Sequence, residues 1–557
     1  MLRCWQRSFP ILAILIAVSS PLQAVEPGAP EHLISVKQAN VIKLRIKLAS
    51  FKRPDQPEAA YETDGLSAFY GQHKGGLIWL DGPLLNARAR QVIAVLQDAA
   101  SWGLDPADFG LPPALENDTF TASGLDEKID TELRIGLALL RYARHARGGQ
   151  VNPMRLSLDF DRKPEFADPQ RLLSRVQDAD DIRAYLESLH PRHPQFHLLR
   201  EAYLNILIGA GAAPAAIRQR QSTTVAQLPR HEAILLRKLR VNMQMWRWIP
   251  RDLGDRYVWV NIPEYQVSIV DAGQTVYRER VVVGDTAHKT PLFSDKMETI
   301  VFQPYWYVPN SIKVKQVLPR LLEGEPLRDL KIAARVGGEE IDPYSVDWYS
   351  EDIRKFVVYQ PPNRDNALGR VKFLFPNKHA VYFHDTPEKE LFRHRQRAYS
   401  HGCMRVRNPL EFARVLLHEE QGWTQEKIRQ LASSGPENNA VKLKRAIPVH
   451  IAYFTAWVGD GGKLRTFKDV YRHEPLIAKG LFDKGLIAKG LAGRLDEIER
   501  PKAEDLANVR SQVLSEDAGF EPSRQRRNLN YTPFVHYDRS ALGRQGPRLR
   551  RYPRRWW

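Results

Sequence analysis

Near residue 250 the spacing of apolar residues changes from helical to alternating, so no single secondary-structure class suits the whole chain. Upstream, residues 86–102 carry Val92, Ile93, Val95, Leu96 and Ala99 at helical spacing and stop at Gly103. Similar patterns cover 133–146, 169–175, 180–189 and 196–207. Over 231–248, Leu235, Leu239, Met243 and Trp246 form one stripe, a composition that speaks for packing more than for binding. Downstream, 256–262, 266–271 and 275–283 read as strands, with Asp271-Ala272-Gly273 as a turn. Strand character continues at 299–308, 355–359, 371–375, 380–383 and 446–454. Between these, 313–322 reads as a helix, and 335–348 is broken by Gly-Gly and Asp-Pro, the mark of an insertion. The expected fold is an α+β multidomain chain. A mostly helical domain spans 50–245, and a β-rich domain spans 255–456 with an insertion at about 311–370. A length of 557 residues suits two or three domains. The Gly/Ala/Pro-rich stretch within 205–224 reads as a linker.

The two ends set the surroundings. Arg3 and Arg7 precede an apolar run over 9–18, and Leu22-Gln23-Ala24 suits a cleavage site, so residues 1–24 read as a secretory leader. An uncleaved anchor is the alternative, disfavoured by the short run. Cleavage would remove Cys4 and leave Cys403 alone, which excludes an intramolecular disulfide framework. The formal net charge is +17, and ten Arg against two acidic residues over 521–557 place +8 of it there. With interleaved Tyr, Pro and Trp, that segment reads as a disordered basic arm within a tail over 460–557. Its expected partner is an anionic wall polymer or a membrane surface; the leader argues against nucleic acid. The same tail repeats Leu-Ile-Ala-Lys-Gly after Pro475 and Gly485.

The remaining thiol sits in a stretch rich in candidates for chemistry. His384 lies 19 positions before Cys403, and His401 lies two before it, with Gly402 between. A thiol becomes a nucleophile when a base or a positive field favours its thiolate. Ser400-His401-Gly402-Cys403-Met404-Arg405 supplies an imidazole, a hinge and a cation. Tyr382 and His384 share strand parity, so both leave the same face. Asn408-Pro409 suits a helix entry just beyond. A metal site from His379, His384, His394, His401 and Cys403 lacks the paired spacings of zinc, and neither metal nor cofactor is expected. A cysteine acyltransferase is the first reading. A hydrolase or peptidase would use the same pair, a buried structural cysteine needs no neighbours, and a wall-binding scaffold protein would not use the thiol at all.

Ser400-His401-Gly402-Cys403 with Arg405, preceded by His384 in His-Asp-Thr-Pro, resembles the L,D-transpeptidases of bacterial peptidoglycan. It is most similar to their large periplasmic branch, with a helical scaffold domain and a capping insertion in the catalytic domain. Residues 245–250 (MWRWIP), 308–312 (VPNSI) and 366–373 (NALGRVKF) also resemble that branch. The likeness covers about 55–455. The short segment 203–231 leaves no room for the peptidoglycan-binding module that many members carry. The resemblance implies a periplasmic enzyme acting on peptidoglycan stem peptides through a Cys403 thioester, giving 3→3 cross-links and acylable by carbapenems. Carboxypeptidase action, D-amino-acid exchange or attachment of a protein to the wall are alternatives for the same residues. His384 is the implied base, and Asp385 is expected to orient it through its backbone carbonyl. Gly402 is expected because a Cβ would obstruct close approach. The N–H groups of His401, Gly402 and Cys403 are candidate oxyanion donors, each worth about 3 kcal/mol. Tyr382, Ser400 and Arg405 are candidate substrate contacts, with Arg405 alternatively holding the loop.

Overall fold

The computed structural model describes residues 40–48 (42 and 46 excepted) and 57–482, without 74, 117–119, 210–227, 326, 328–329 and 335–337. The expected leader, most of the Gly/Ala/Pro stretch, the second copy of the repeat and the expected basic arm lie outside the described residues. No helix among the described residues is long and apolar enough to cross a membrane.

The first body is helical: α1 (Pro57–Gln72), α2 (Ala87–Gln97), α3 (Leu125–Gly148) and α4 (Pro169–Asp178). Asn86 caps α2 by accepting from Ala89 N, and a following 3₁₀ turn ends at Gly103, which takes a left-handed φ of 72°. Helix α3 begins eight residues before the apolar spacing announces it. Its first turn holds Asp126, Glu127 and Lys128, and Glu127 accepts from Ser123 N at 2.7 Å. The polar first turn hides the start. Tyr70, Trp79, Leu96, Leu139, Tyr142 and Leu172 close this core.

Helices α5 (Pro194–Gly209) and α6 (Arg230–Trp246) were expected in the helical domain, yet they pack elsewhere. Leu199, Tyr203, Leu239, Met243 and Trp246 share one core with the β-rich domain. An amphipathic stripe shows that a helix packs, not against what. The stretch 245–250 ties the bodies together. Trp246 stacks on Phe454 with ring centroids 4.4 Å apart, Arg247 Nη2 donates to Trp102 O at 2.7 Å, and Trp248 Nε1 donates to Val151 O at 3.0 Å.

The β-rich domain runs β1 (Arg256–Asn261), β2 (Gln266–Asp271), β3 (Gln274–Gly284) and β4 (Ser294–Phe302) before an inserted cap. The cap holds β5 (Trp306–Tyr307), a helix α7 over 310–322, β6 (Lys331–Ala334), β7 (Glu340–Ile341) and β8 (Phe356–Gln360). Its strands form their own four-stranded sheet over a separate core that includes Val317, Ile332, Trp348 and Val358. The insertion therefore starts at 306, slightly earlier than the sequence indicates. β8, an ordinary strand signal in sequence, pairs with β5 and β6 of the cap.

After the cap come β9 (Val371–Leu374), β10 (Phe383–His384), β11 (Ala398–Ser400), β12 (Met404–Val406) and β13 (Asn439–Ala452), with α8 (Pro409–Gln421) and α9 (Gln425–Ser434) between the last two. The main sheet is ordered β11-β3-β12-β10-β9-β4-β13-β1-β2, and β2 also pairs with β3, so the strand order returns on itself. The stretch 460–482, expected to belong to a tail, is folded. Strands Ala456–Val458 and Leu464–Thr466 pair, and α10 (His473–Phe482) buries Ile477, Ala478 and Leu481 in the same core.

Candidate active site

Strands β10 and β12 run parallel, with Phe383 opposite Met404 and His384 opposite Arg405. Met404 N donates to Tyr382 O at 3.0 Å, which puts Cys403 beside Tyr382. Residues facing each other across neighbouring strands share a side, so Tyr382, His384, Cys403 and Arg405 leave one face. Phe383 and Met404 leave the other and enter the core. The Tyr382 and His384 rings lie 5.8 Å apart, and Tyr382 also packs against the cap. On the far side of β10, Lys372 of β9 is opposite His384 and is buried.

His384 is held in one tautomer. Its Nδ1 lies 2.5 Å from Asp385 O, and a carbonyl oxygen only accepts, so Nδ1 carries the proton and Nε2 keeps the lone pair. The Asp385 carboxylate is turned away from the imidazole. It accepts from Arg370 N at 3.0 Å and Thr386 N at 2.7 Å, and it pairs with Lys389. Gly369, at φ 59°, makes room for it. A Cβ there would meet Asp385 Cγ at 2.4 Å, closer than any real contact. Gly369→Ala is therefore expected to push Asp385 aside and lose the grip on His384. Overpacking and a left-handed alanine cost about 2–5 kcal/mol together. Thermal unfolding and turnover measured on that variant should both fall; unchanged values would mean that the Asp385 cradle is dispensable.

Burial favours the uncharged form of both the thiol and the imidazole. Burial pushes the Cys403 thiol up to about 11, against the opposing pull of Tyr382 and of the Arg405 charge. Burial, then the charge of Arg405, drives the His384 imidazole down to about 3. Arg405 is itself buried and ion-paired to Glu388 at 2.5 Å. Nη1 of its guanidinium, expected at a substrate carboxylate or on loop carbonyls, pairs with that side chain, while its buried Nε has no hydrogen-bond partner among the described residues. Neither Glu388 nor Gly369 stood out in the sequence. Gly369 lay inside the 366–373 stretch, but without a partner to give it meaning.

The Ser400–Cys403 loop is closed on itself. The buried Ser400 Oγ donates to Cys403 O at 2.5 Å and accepts from Gly402 N at 3.2 Å. Ser400 thus holds the loop rather than facing a substrate. The Gly402 N–H is occupied, which leaves those of His401 and Cys403 among the three expected oxyanion donors. A Cβ on Gly402 would meet nothing closer than 3.8 Å, so space does not require glycine there; its φ of 113° does. His401 is exposed and turns toward the cap. Its ring lies 4.3 Å from that of His288, and Gln316 Nε2 of α7 donates to its Nε2 at 3.1 Å. Cys403 is half-buried, with Sγ 3.7 Å from Ala380 O.

Among the described residues the one thiol shares a sheet face with an imidazole whose lone pair is free, on a β-rich domain with an inserted cap. Residues 255–438 match the family model of the L,D-transpeptidase catalytic domain, and residues 64–202 match that of a scaffold domain. The matched regions are thus an L,D-transpeptidase catalytic domain and, N-terminal to it, a scaffold domain. It is 28% identical over 431 residues to a Haemophilus influenzae protein named "Putative L,D-transpeptidase", covering 76% of this chain and 81% of that protein.

Proposed function

We propose that this protein is a peptidoglycan L,D-transpeptidase that forms 3→3 cross-links through a thioester on Cys403. One observation carries the reading: Cys403 and His384 share a sheet face, with the Nε2 lone pair of His384 unspent. As a stem tetrapeptide binds, the Cys403 proton passes to His384 Nε2 while sulfur attacks the carbonyl between the L-centre of the diamino acid and the terminal D-alanine. The tetrahedral oxyanion is met by backbone N–H groups of the 401–403 loop. His384 returns the proton to the departing D-alanine amine, leaving a thioester. The side-chain amine of a second stem then attacks; its proton goes to His384, the new amide forms and the thiol is restored. General acid–base catalysis of this kind is worth about 10²–10⁴-fold. The arginines and apolar run within 1–24, which read as a leader, support a periplasmic location, and the basic residues of 521–557 support contact with anionic wall polymer or membrane surface.

The test is incubation of the purified protein with disaccharide-tetrapeptide, followed by mass analysis. A cross-linked dimer with loss of one D-alanine is expected, and Cys403→Ala should abolish it while leaving substrate binding. Tripeptide alone would mean that water is the acceptor. No product from the wild type, or full activity of Cys403→Ala, would overturn the reading.

A further inference from the structure

The Cys403 loop is also gripped from outside. Thr290 Oγ1 donates to the Gly402 carbonyl at 2.7 Å and accepts from Gly284 N at 2.9 Å. Thr290 is fully buried, and its single hydroxyl proton is spent on that carbonyl. The Thr290 N–H in turn donates to the Tyr471 hydroxyl at 3.3 Å, and that hydroxyl donates to Gly284 O at 2.6 Å. Tyr471 is anchored by its own N–H, which donates to the Tyr453 hydroxyl at 2.7 Å. The Tyr453 hydroxyl donates to Asp469 Oδ1 at 2.6 Å, and the same carboxylate accepts from His473 N and Glu474 N at the start of α10. A continuous hydrogen-bonded chain therefore joins the last described helix to the residue beside the sulfur. Tyr453, Asp469 and Tyr471 all lie beyond residue 438, where the match to the catalytic family ends.

The Gly402 C=O and the Cys403 N–H belong to one planar peptide unit, so fixing the first aims the second. That N–H is one of the two donors left for the oxyanion. We propose that Tyr471 is a positioning residue for acyl transfer: acting through Thr290, it sets the direction of the Cys403 N–H. The inference rests on the acyl-transfer reading of Cys403. Removing an oxyanion donor costs about 10²–10³-fold in kcat; misaiming one should cost less, about tenfold.

The experiment compares Tyr471→Phe, Thr290→Val, Thr290→Ser and the Tyr471→Phe/Thr290→Val double variant in the tetrapeptide assay. Each variant is also tested for Cys403 alkylation by iodoacetamide, which builds no oxyanion. Tyr471→Phe and Thr290→Val should lower kcat about tenfold with KM nearly unchanged and alkylation unchanged. Thr290→Ser should stay near wild type, and the double variant should be no worse than Thr290→Val, because both act on one bond. If Tyr471→Phe fails to fold, the Thr290→Val and Thr290→Ser pair carries the test alone. An active wild type with an unaffected kcat in Tyr471→Phe, additive losses, or an equal fall in alkylation would overturn the inference. A wild type without product would remove the acyl-transfer reading, and this inference with it.

Discussion

Alkylation of Cys403 by iodoacetamide in the substrate-free protein should rise steadily with pH from 7 to beyond 10, with no plateau near 8. A thiol pushed up to about 11 is almost wholly protonated at neutral pH. Against a free cysteine near 8.5, its thiolate fraction at pH 7 is lower by about 300-fold. The more basic sulfur recovers roughly tenfold in nucleophilicity, so the net deficit is on the order of 20- to 30-fold. Acyl transfer should nevertheless proceed at pH 7, since the proton moves to His384 only as the carbonyl is attacked. A preformed thiolate–imidazolium pair would instead give fast alkylation that is flat from pH 5 to 9. That result would show that the charge of Arg405 outweighs burial, and would refute the neutral pair.

Acidification from pH 7 to 5 should unfold much of the protein. His384 is held down at about 3, and His193, His450 and His473 at about 4, each chiefly by burial. His193 stacks on Trp246, with His197 nearby adding to its depression. His450 lies between Ser294 Oγ and Leu253 O, near Arg162 and Asp252. His473 packs on Phe160 and Tyr453, with Lys289, Asp159 and Asp469 in range. Each depressed imidazole binds a proton more readily in the unfolded chain, whose histidines titrate near 6.5. The penalty is absent above 6.5 and grows as pH falls toward the folded values. At pH 5 each group costs roughly 2 kcal/mol, about 8 kcal/mol for the four, comparable to the whole stability of an ordinary domain. Tryptophan fluorescence and far-UV circular dichroism should show a transition near pH 5. Flat signals down to pH 4 would sink this prediction.

The placement of the candidate residues was legible where it is local in sequence. Cys403, His384, the shared face of Tyr382 and His384, and the turn of the Asp385 carbonyl toward Nδ1 all follow from spacing and strand parity. Partners brought from elsewhere in the chain were not legible. Arg405 meets Glu388, Gly402 meets Thr290, and His401 meets His288 and Gln316 of the cap. Such pairings depend on which strands become neighbours, and periodicity carries no such address. The same limit explains α5 and α6, whose apolar stripes were plain while their partner was not.

By itself the sequence determined the two-part architecture and the insertion, and it singled out Cys403 with His384 and His401 as the candidate site, because periodicity and residue spacing are local properties of the chain. Only the tertiary structure decided that burial favours the uncharged thiol and imidazole, that Ser400 is engaged within its loop and Arg405 paired with Glu388, and that residues 460–482 belong to the folded body. Each of these depends on burial or on contacts that form only when the chain packs.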